Sequence, residues 1–321
     1  YTLLFIKVFL FVLIISCPIT AYLQGFSLLS SFTSSVSSYQ VSVRAVKLDS
    51  FGNKYIAGNF DISATIKNTT ITGSSKDIFF GKLDPLGNPI WIKTAGGPGS
   101  DQAMDLELDN QGGLYISGLF SSTAVFDGDT AVSAFQPFAN PINVSDNFLV
   151  KYDTSGNFQW IKTGATTDND FNNNVNGYNN NSFNYYGKSK IKFKNGHVYL
   201  MGSNRVSTGS LGNINSIGRQ FDGISLPNTQ APGGGGFYGY KYLNSFILKT
   251  DVNGTNSWIT PIYCNVDQDF DAVIGLDFEV NSNDHVIAQY YYSSLGCKIG
   301  GQLTQLQFPV FHLALLLQEV Q

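Results

Sequence analysis

The sequence predicts an all-β fold, a β-propeller of four-stranded antiparallel blades, and three observations predict it. Two short signatures alternate along the chain, all three tryptophans fall at one position of the second, and the composition is rich in turn residues and poor in charge. Of the 321 residues, 43% are hydrophobic and 14% aromatic but only 13% are charged. A large core is therefore within reach, and surface polarity must come mainly from Asn, Ser, Thr and Gly. The net charge of -4 is mild, and no basic patch or Arg/Lys-rich helix asks for nucleic acid.

The N-terminal segment differs from the rest. Leu3 to Ile15 is almost wholly apolar, broken only by Lys7, and stops at Ser16-Cys17-Pro18. That run falls short of the roughly 20 apolar residues of a membrane span and suits the apolar core of a signal peptide. Residues 1–17 read as a signal peptide or a lipoprotein signal. Ile14-Ile15-Ser16-Cys17 resembles a bacterial lipobox, which would lipidate Cys17; ordinary cleavage, for instance after Ala21, is the alternative. The expected location is secreted or cell-surface, with the membrane reached only through that signal or lipid anchor. Cys264 and Cys297 are then left as a candidate disulfide or as two buried free thiols.

The first signature is a polar turn followed by an aliphatic-aromatic strand that ends in a small residue. It reads Asp49-Ser-Phe-Gly-Asn-Lys-Tyr55-Ile-Ala-Gly58 and Asp109-Asn-Gln-Gly-Gly-Leu-Tyr115-Ile-Ser-Gly118, then in shorter form Lys194-Asn-Gly-His-Val-Tyr199-Leu-Met-Gly202. Asn283-Asp-His-Val-Ile287-Ala288 is a degraded fourth copy. The second signature is an apolar strand, an Asp-x-x-Gly turn and a tryptophan strand. Its copies centre on Asp84 and Trp91, Asp153 and Trp160, and Asp251 and Trp258, and Val310 to Leu317 looks like a last first strand. Each signature is a β-hairpin, with Asp capping turn N–H groups and Gly supplying positive φ. Two hairpins in tandem make a four-stranded sheet that cannot bury both faces alone, so copies must stack, and radial stacking gives a propeller.

These residues resemble the SBBP (seven-bladed beta-propeller repeat) family of exported bacterial β-propeller proteins. The resemblance covers about residues 44–290, including the Gly96-Gly-Pro-Gly-Ser-Asp101 link, and is strongest in the first two blades. It implies an exported or surface-attached protein and brings no catalytic residue set.

The propeller is expected over 24–321, with blades at about 42–93, 104–162, 190–260 and 273–321. Residues 24–33 are a candidate closing strand for the last blade, which otherwise stops before its fourth strand. A four-bladed ring closed in this way and a fragment of a larger ring are the two readings, the second favoured.

Strand alternation puts the short A–B and C–D turns on one face. The long segments 59–77, 119–146, 165–188, 203–244 and 289–309 then share the other, where binding is expected. Phe183, Tyr185, Tyr186, Phe237, Tyr238, Tyr240 and Tyr242 in those segments suit stacking on a glycan or a protein. Asp168, Asp170 and Asn172 are loosely like a Ca²⁺ loop, so the cofactor expectation is none or Ca²⁺. His197, His285 and His312 sit at unrelated repeat positions, and no His-x-x-x-His, Gly-x-Ser-x-Gly or Cys-x-x-Cys motif occurs. The function expected is a non-enzymatic carbohydrate- or protein-binding module. The alternatives are an exported polysaccharide lyase or hydrolase, with carboxylates meeting at the ring centre, or a purely structural segment of a larger surface protein.

Overall fold

The structure is a computed structural model that describes residues 32–34, 41–132, 145–167, 189–207, 218–226, 241–264, 273–292, 296–299, 302–305 and 313–317. Its regular elements are all β-strands. A short strand, β1 (Phe32–Ser34), precedes a first blade of β2 (Val41–Leu48), β3 (Lys54–Ile66), β4 (Thr69–Leu83) and β5 (Pro89–Ala95). The second blade is β6 (Gln102–Leu108), β7 (Gly113–Ser121), a side hairpin β8 (Thr123–Phe126) and β9 (Asp129–Val132), then β10 (Ser145–Asp153) and β11 (Phe158–Thr167). The third follows the same plan. It has β12 (Ser189–Lys194), β13 (His197–Ser207), a hairpin β14 (Gly218–Phe221) and β15 (Ile224–Leu226), β16 (Lys241–Asp251) and β17 (Asn256–Cys264). The fourth has β18 (Val273–Val280), β19 (Val286–Tyr292), a hairpin β20 (Gly296–Ile299) and β21 (Gln302–Gln305), and β22 (Leu313–Leu317).

In the first three blades the strands A to D pair antiparallel in chain order. The fourth supplies A, B and C as β18, β19 and β22 among the described residues. The A strands β2, β6, β12 and β18 neighbour one another in that order, which makes them the inner strands. The chain is thus all-β and built of propeller blades, as the two signatures require.

One turn recurs at both ends of the repeat. Asp84 N–H donates to the Asn88 carbonyl, Gly87 N–H to the Asp84 carbonyl, and the Asp84 carboxylate accepts from Asn88 N–H at 2.7 Å and Asn88 Nδ2 at 2.8 Å. Asp49 and Asp153 repeat this arrangement with Asn53 and Asn157, and Asp251 repeats its backbone part with Thr255. The Asn88 side chain and backbone donors hold the Asp84 carboxyl below the usual range. In the fourth blade Asn281 takes the capping role and accepts from Asn283 and His285 N–H. Asp284 there adopts φ 62 where the other copies use Gly. The degraded fourth copy therefore keeps the turn without its aspartate or its glycine.

A ladder of Tyr, Lys and Trp crosses strands B, C and D. Tyr55, Lys82 and Trp91 are opposite in register, as are Tyr115, Lys151 and Trp160, and Tyr199, Lys249 and Trp258. Each ammonium lies over its tyrosine ring at 5.1, 5.2 and 5.8 Å. The tryptophan then reaches the following blade. Trp91 Nε1 donates to the Thr154 carbonyl at 3.2 Å and Trp160 Nε1 to the Val252 carbonyl at 3.3 Å. Gly156 and Gly254 lie flat against those two rings, so the turn glycine is needed for blade contact as well as for its φ of 86 or 90. Trp91 and Trp160 thus each tie a blade to its successor, which gives a physical reason for their common repeat position.

Blade-to-blade cores complete the scaffold. Tyr55, Ala57, Ile78 and Phe80 of the first blade meet Ala103, Leu106, Leu114, Ile116, Val150 and Tyr152 of the second. Equivalent clusters join the second blade to the third and the third to the fourth.

Candidate functional site

The structure changes the nature of the long B–C segments. Within 59–77, 119–146, 203–244 and 289–309, expected as variable loops, the described residues form a second β-hairpin in every blade. In the first blade it is the continuation of β3 and β4, which pair from Ser63 with Thr72 to Ile66 with Thr69. The others are β8–β9, β14–β15 and β20–β21. The tips are tight: Asp127 and Gly128 have φ 54 and 96, and Asp222 and Gly223 have φ 50 and 75. Positive φ at both central residues suits the right-handed twist of the flanking strands.

The hairpins of the second, third and fourth blades are latched to the outer edge of the preceding blade, and that of the first blade pairs with β1. β14 pairs with the end of β11, Phe221 opposite Gly164, and β20 pairs with the end of β17, Ile299 opposite Ile262. The Gly96–Val125 bridge ties β8 to the residue after β5 in the same sense. Ion pairs reinforce two of these joints at equivalent positions, Lys93 with Asp127 at 2.6 Å and Lys162 with Asp222. The hairpin also packs on its own blade. Phe126 lies 4.9 Å from Phe148 and Phe221 lies 5.0 Å from Phe246, ring to ring. Those C-strand phenylalanines fill the space over Gly118 and Gly202 of strand B.

Sequence reading missed this third signature, although it was visible as Val125-Phe126-Asp127-Gly128 and Gln220-Phe221-Asp222-Gly223. An apolar residue before Asp-Gly is a strong short hairpin signal. It was hidden because its strands are short and the flanking segments differ in length.

The inner strands carry charge in an ordered way. Lys47, Glu107, Lys192 and Glu279 occupy one repeat position, each opposite the residue that starts the B-strand ladder. They alternate in sign and pair, Lys47 with Glu107 at 2.8 Å and Lys192 with Glu279 at 2.6 Å. Lys190 lies 3.8 Å from Asp105 one step along. Among the described residues, Glu107, Asp105 and Glu279 of these strands each have a lysine within 4 Å. Among the described residues no three His, Cys, Asp or Glu side chains come together as a metal site.

One pair of carboxylates does converge, at the joint of the first two blades. Asp101, fully buried, accepts from Ser121 N–H at 2.9 Å and Gly97 N–H at 2.8 Å. Asp77, 4% exposed, accepts from Ser74 N–H through Oδ2, while its Oδ1 is buried without a hydrogen-bond partner. A side-chain carbon at Gly96 would touch Asp77 Oδ1 on one side and Asp101 Oδ2, 3.0 Å away, on the other. Burial, with the neighbouring charge of Asp77, pushes the Asp101 carboxyl up to about 7, and burial raises Asp77 as well.

Of the binding residues expected from sequence, Tyr242 falls within β16, opposite Val206 of β13, because the C strand begins earlier than the loop boundary suggested. Phe183, Tyr185, Tyr186, Phe237, Tyr238 and Tyr240 lie outside the described residues, as do Asp168, Asp170, Asn172 and Cys17. Cys264 and Cys297 are register partners in the β17–β20 ladder.

No family model matches the chain. Over 171 residues, 48% of its length, it is 25% identical to an uncharacterised WD repeat-containing protein of Acanthamoeba polyphaga mimivirus. That match spans 12% of the viral protein's length, so it bears on the repeat and not on the whole relative. Repeat, register and relative agree on a propeller-like repeat fold.

Proposed function

We propose that this chain is a non-enzymatic propeller module that binds a protein partner through the face carrying its B–C hairpins. One observation carries the reading: four hairpins of different sequence project from equivalent positions on one scaffold. They are anchored by backbone pairing, or by a bridge, to a neighbouring strand. A rigid frame with variable tips is the arrangement that recognition surfaces use. The paired charges of the inner strands support binding over catalysis, since the carboxylates there are matched by lysines. The printed name of the viral relative, a WD repeat-containing protein, fits a propeller module. Kinship with the exported seven-bladed repeat proteins, and export through residues 1–17, belong to the same proposal, as does a glycan as the other occupant of the hairpin face.

Site-specific photo-crosslinking tests it. A crosslinker placed at Asp127 or Asp222 on the hairpin tips should capture one and the same partner from the host extract. A crosslinker at Leu86 or Ser155, on the turns of the opposite face, should not. Capture from the turn face alone would overturn the assignment, and a glycan array with the same protein reads the carbohydrate alternative.

A further inference from the structure

The latch between third and fourth blades lacks the ion pair that reinforces the other two. Lys93 and Lys162 stand two residues after their tryptophans, and the equivalent residue after Trp258 is Thr260. Asp127 and Asp222 open their hairpin tips, and the residue following Ile299 is Gly300. The same latch holds two of the chain's three cysteines, and the ladder sets Cys264 directly opposite Cys297. We infer that Cys264 and Cys297 form a cross-strand disulfide that takes over, at this joint, the role of the missing Lys–Asp pair.

The backbone placement meets the requirements of such a bond. Directly opposed residues of an antiparallel pair have Cα atoms about 4.5–5.5 Å apart, inside the range of about 4.4–6.8 Å that disulfides span. The bond would fasten β20 to β17 and so close the chain between the third blade's outer strand and the fourth blade's hairpin. Its formation needs an oxidant of the disulfide class. The two thiols lose two protons and two electrons as one S–S bond forms, and the oxidant's S–S bond is cleaved to two thiols.

The full chain equilibrated with excess glutathione disulfide provides the test. Alkylation followed by peptide mapping should find Cys264 and Cys297 joined in one peptide pair and unreactive until reduced. Reduction should lower the melting midpoint by roughly 5–10 °C. The variant C264S should leave Cys297 alkylated and should melt like the reduced protein. Quantitative alkylation of both cysteines in the folded, oxidised chain would overturn the inference, as would linkage of either one to Cys17. Melting of C264S that matches the oxidised chain would remove the proposed role of the bond.

Discussion

At the residue scale the most informative group is the Asp77–Asp101 pair. In the unfolded chain Asp101 titrates near the ordinary value of about 3.9; in the folded chain burial raises it to about 7. Between those limits the folded state holds a proton that the unfolded state has lost, so stability falls as pH rises through the window. The contribution is complete below about pH 4 and gone above about 7, and its size is at most on the order of 4 kcal/mol. Asp77→Asn changes this in a defined way. Its amide oxygen keeps the Ser74 N–H bond, and its NH₂, at the unpartnered Oδ1 position, faces the Asp101 carboxylate. The variant should be more stable than the parent at pH 8 and should show a flatter stability profile from pH 5 to 8 in urea unfolding. An unchanged slope in that variant would show that Asp101 is not the group responsible.

At the element scale the hairpin latch divides into a strong part and a weak part. Phe221 is fully buried against Phe246, so Phe221→Ala should cost about 3 kcal/mol. Lys162→Ala removes a buried ammonium and its stem, but the partner Asp222 is partly exposed and still accepts from Asn256 Nδ2 at 2.8 Å, so it should cost less than the phenylalanine, about 1–2 kcal/mol. Limited proteolysis should cut β14–β15 before global unfolding in the first variant and not in the second; the reverse order would mean that charge, not packing, holds the hairpin. The same contrast explains what the sequence made legible. Tyr55, Lys82 and Trp91 recur because each of them touches a neighbouring strand or blade at fixed register, and such recurrence is readable without a structure. The hairpins share only an apolar residue and two turn residues, and their anchoring is by backbone pairing, which any side chain permits. The Asp77–Asp101 pair left no pattern either, because its partners are backbone N–H groups, which any residue supplies, and one of them, Ser121 N–H, comes from another strand.

At the scale of the whole molecule, the register of β1 has a consequence for how the blades end. Ile66 of the first blade's hairpin stands opposite Phe32, as Phe221 stands opposite Gly164 and Ile299 opposite Ile262. In the later blades that partner is always the end of the preceding blade's D strand, so β1 holds the place of a D strand. The fourth blade has no D strand among the described residues, and its C strand β22 pairs on one side only there. The first blade's face away from the second presents Ile56, Phe79 and Leu83, all buried, in the position that a preceding blade covers at the other joints. Trp258 Nε1 is buried without an acceptor among the described residues, where Trp91 and Trp160 each find a carbonyl in the next blade's C–D turn. These four observations support the proposal that the strand ending at Ser34 completes the last blade by pairing with β22, which removes a free edge that would otherwise invite association. Hydrogen exchange on the full chain decides it. Alternate amides of an edge strand point to solvent and exchange fast, whereas a strand paired on both sides protects them all. Slow exchange at every amide from Leu313 to Leu317, lost when residues 24–34 are replaced by a Gly/Ser sequence, is the expected result. Fast exchange at every second amide in the unaltered chain would leave β22 as an edge and assign β1 to a different blade.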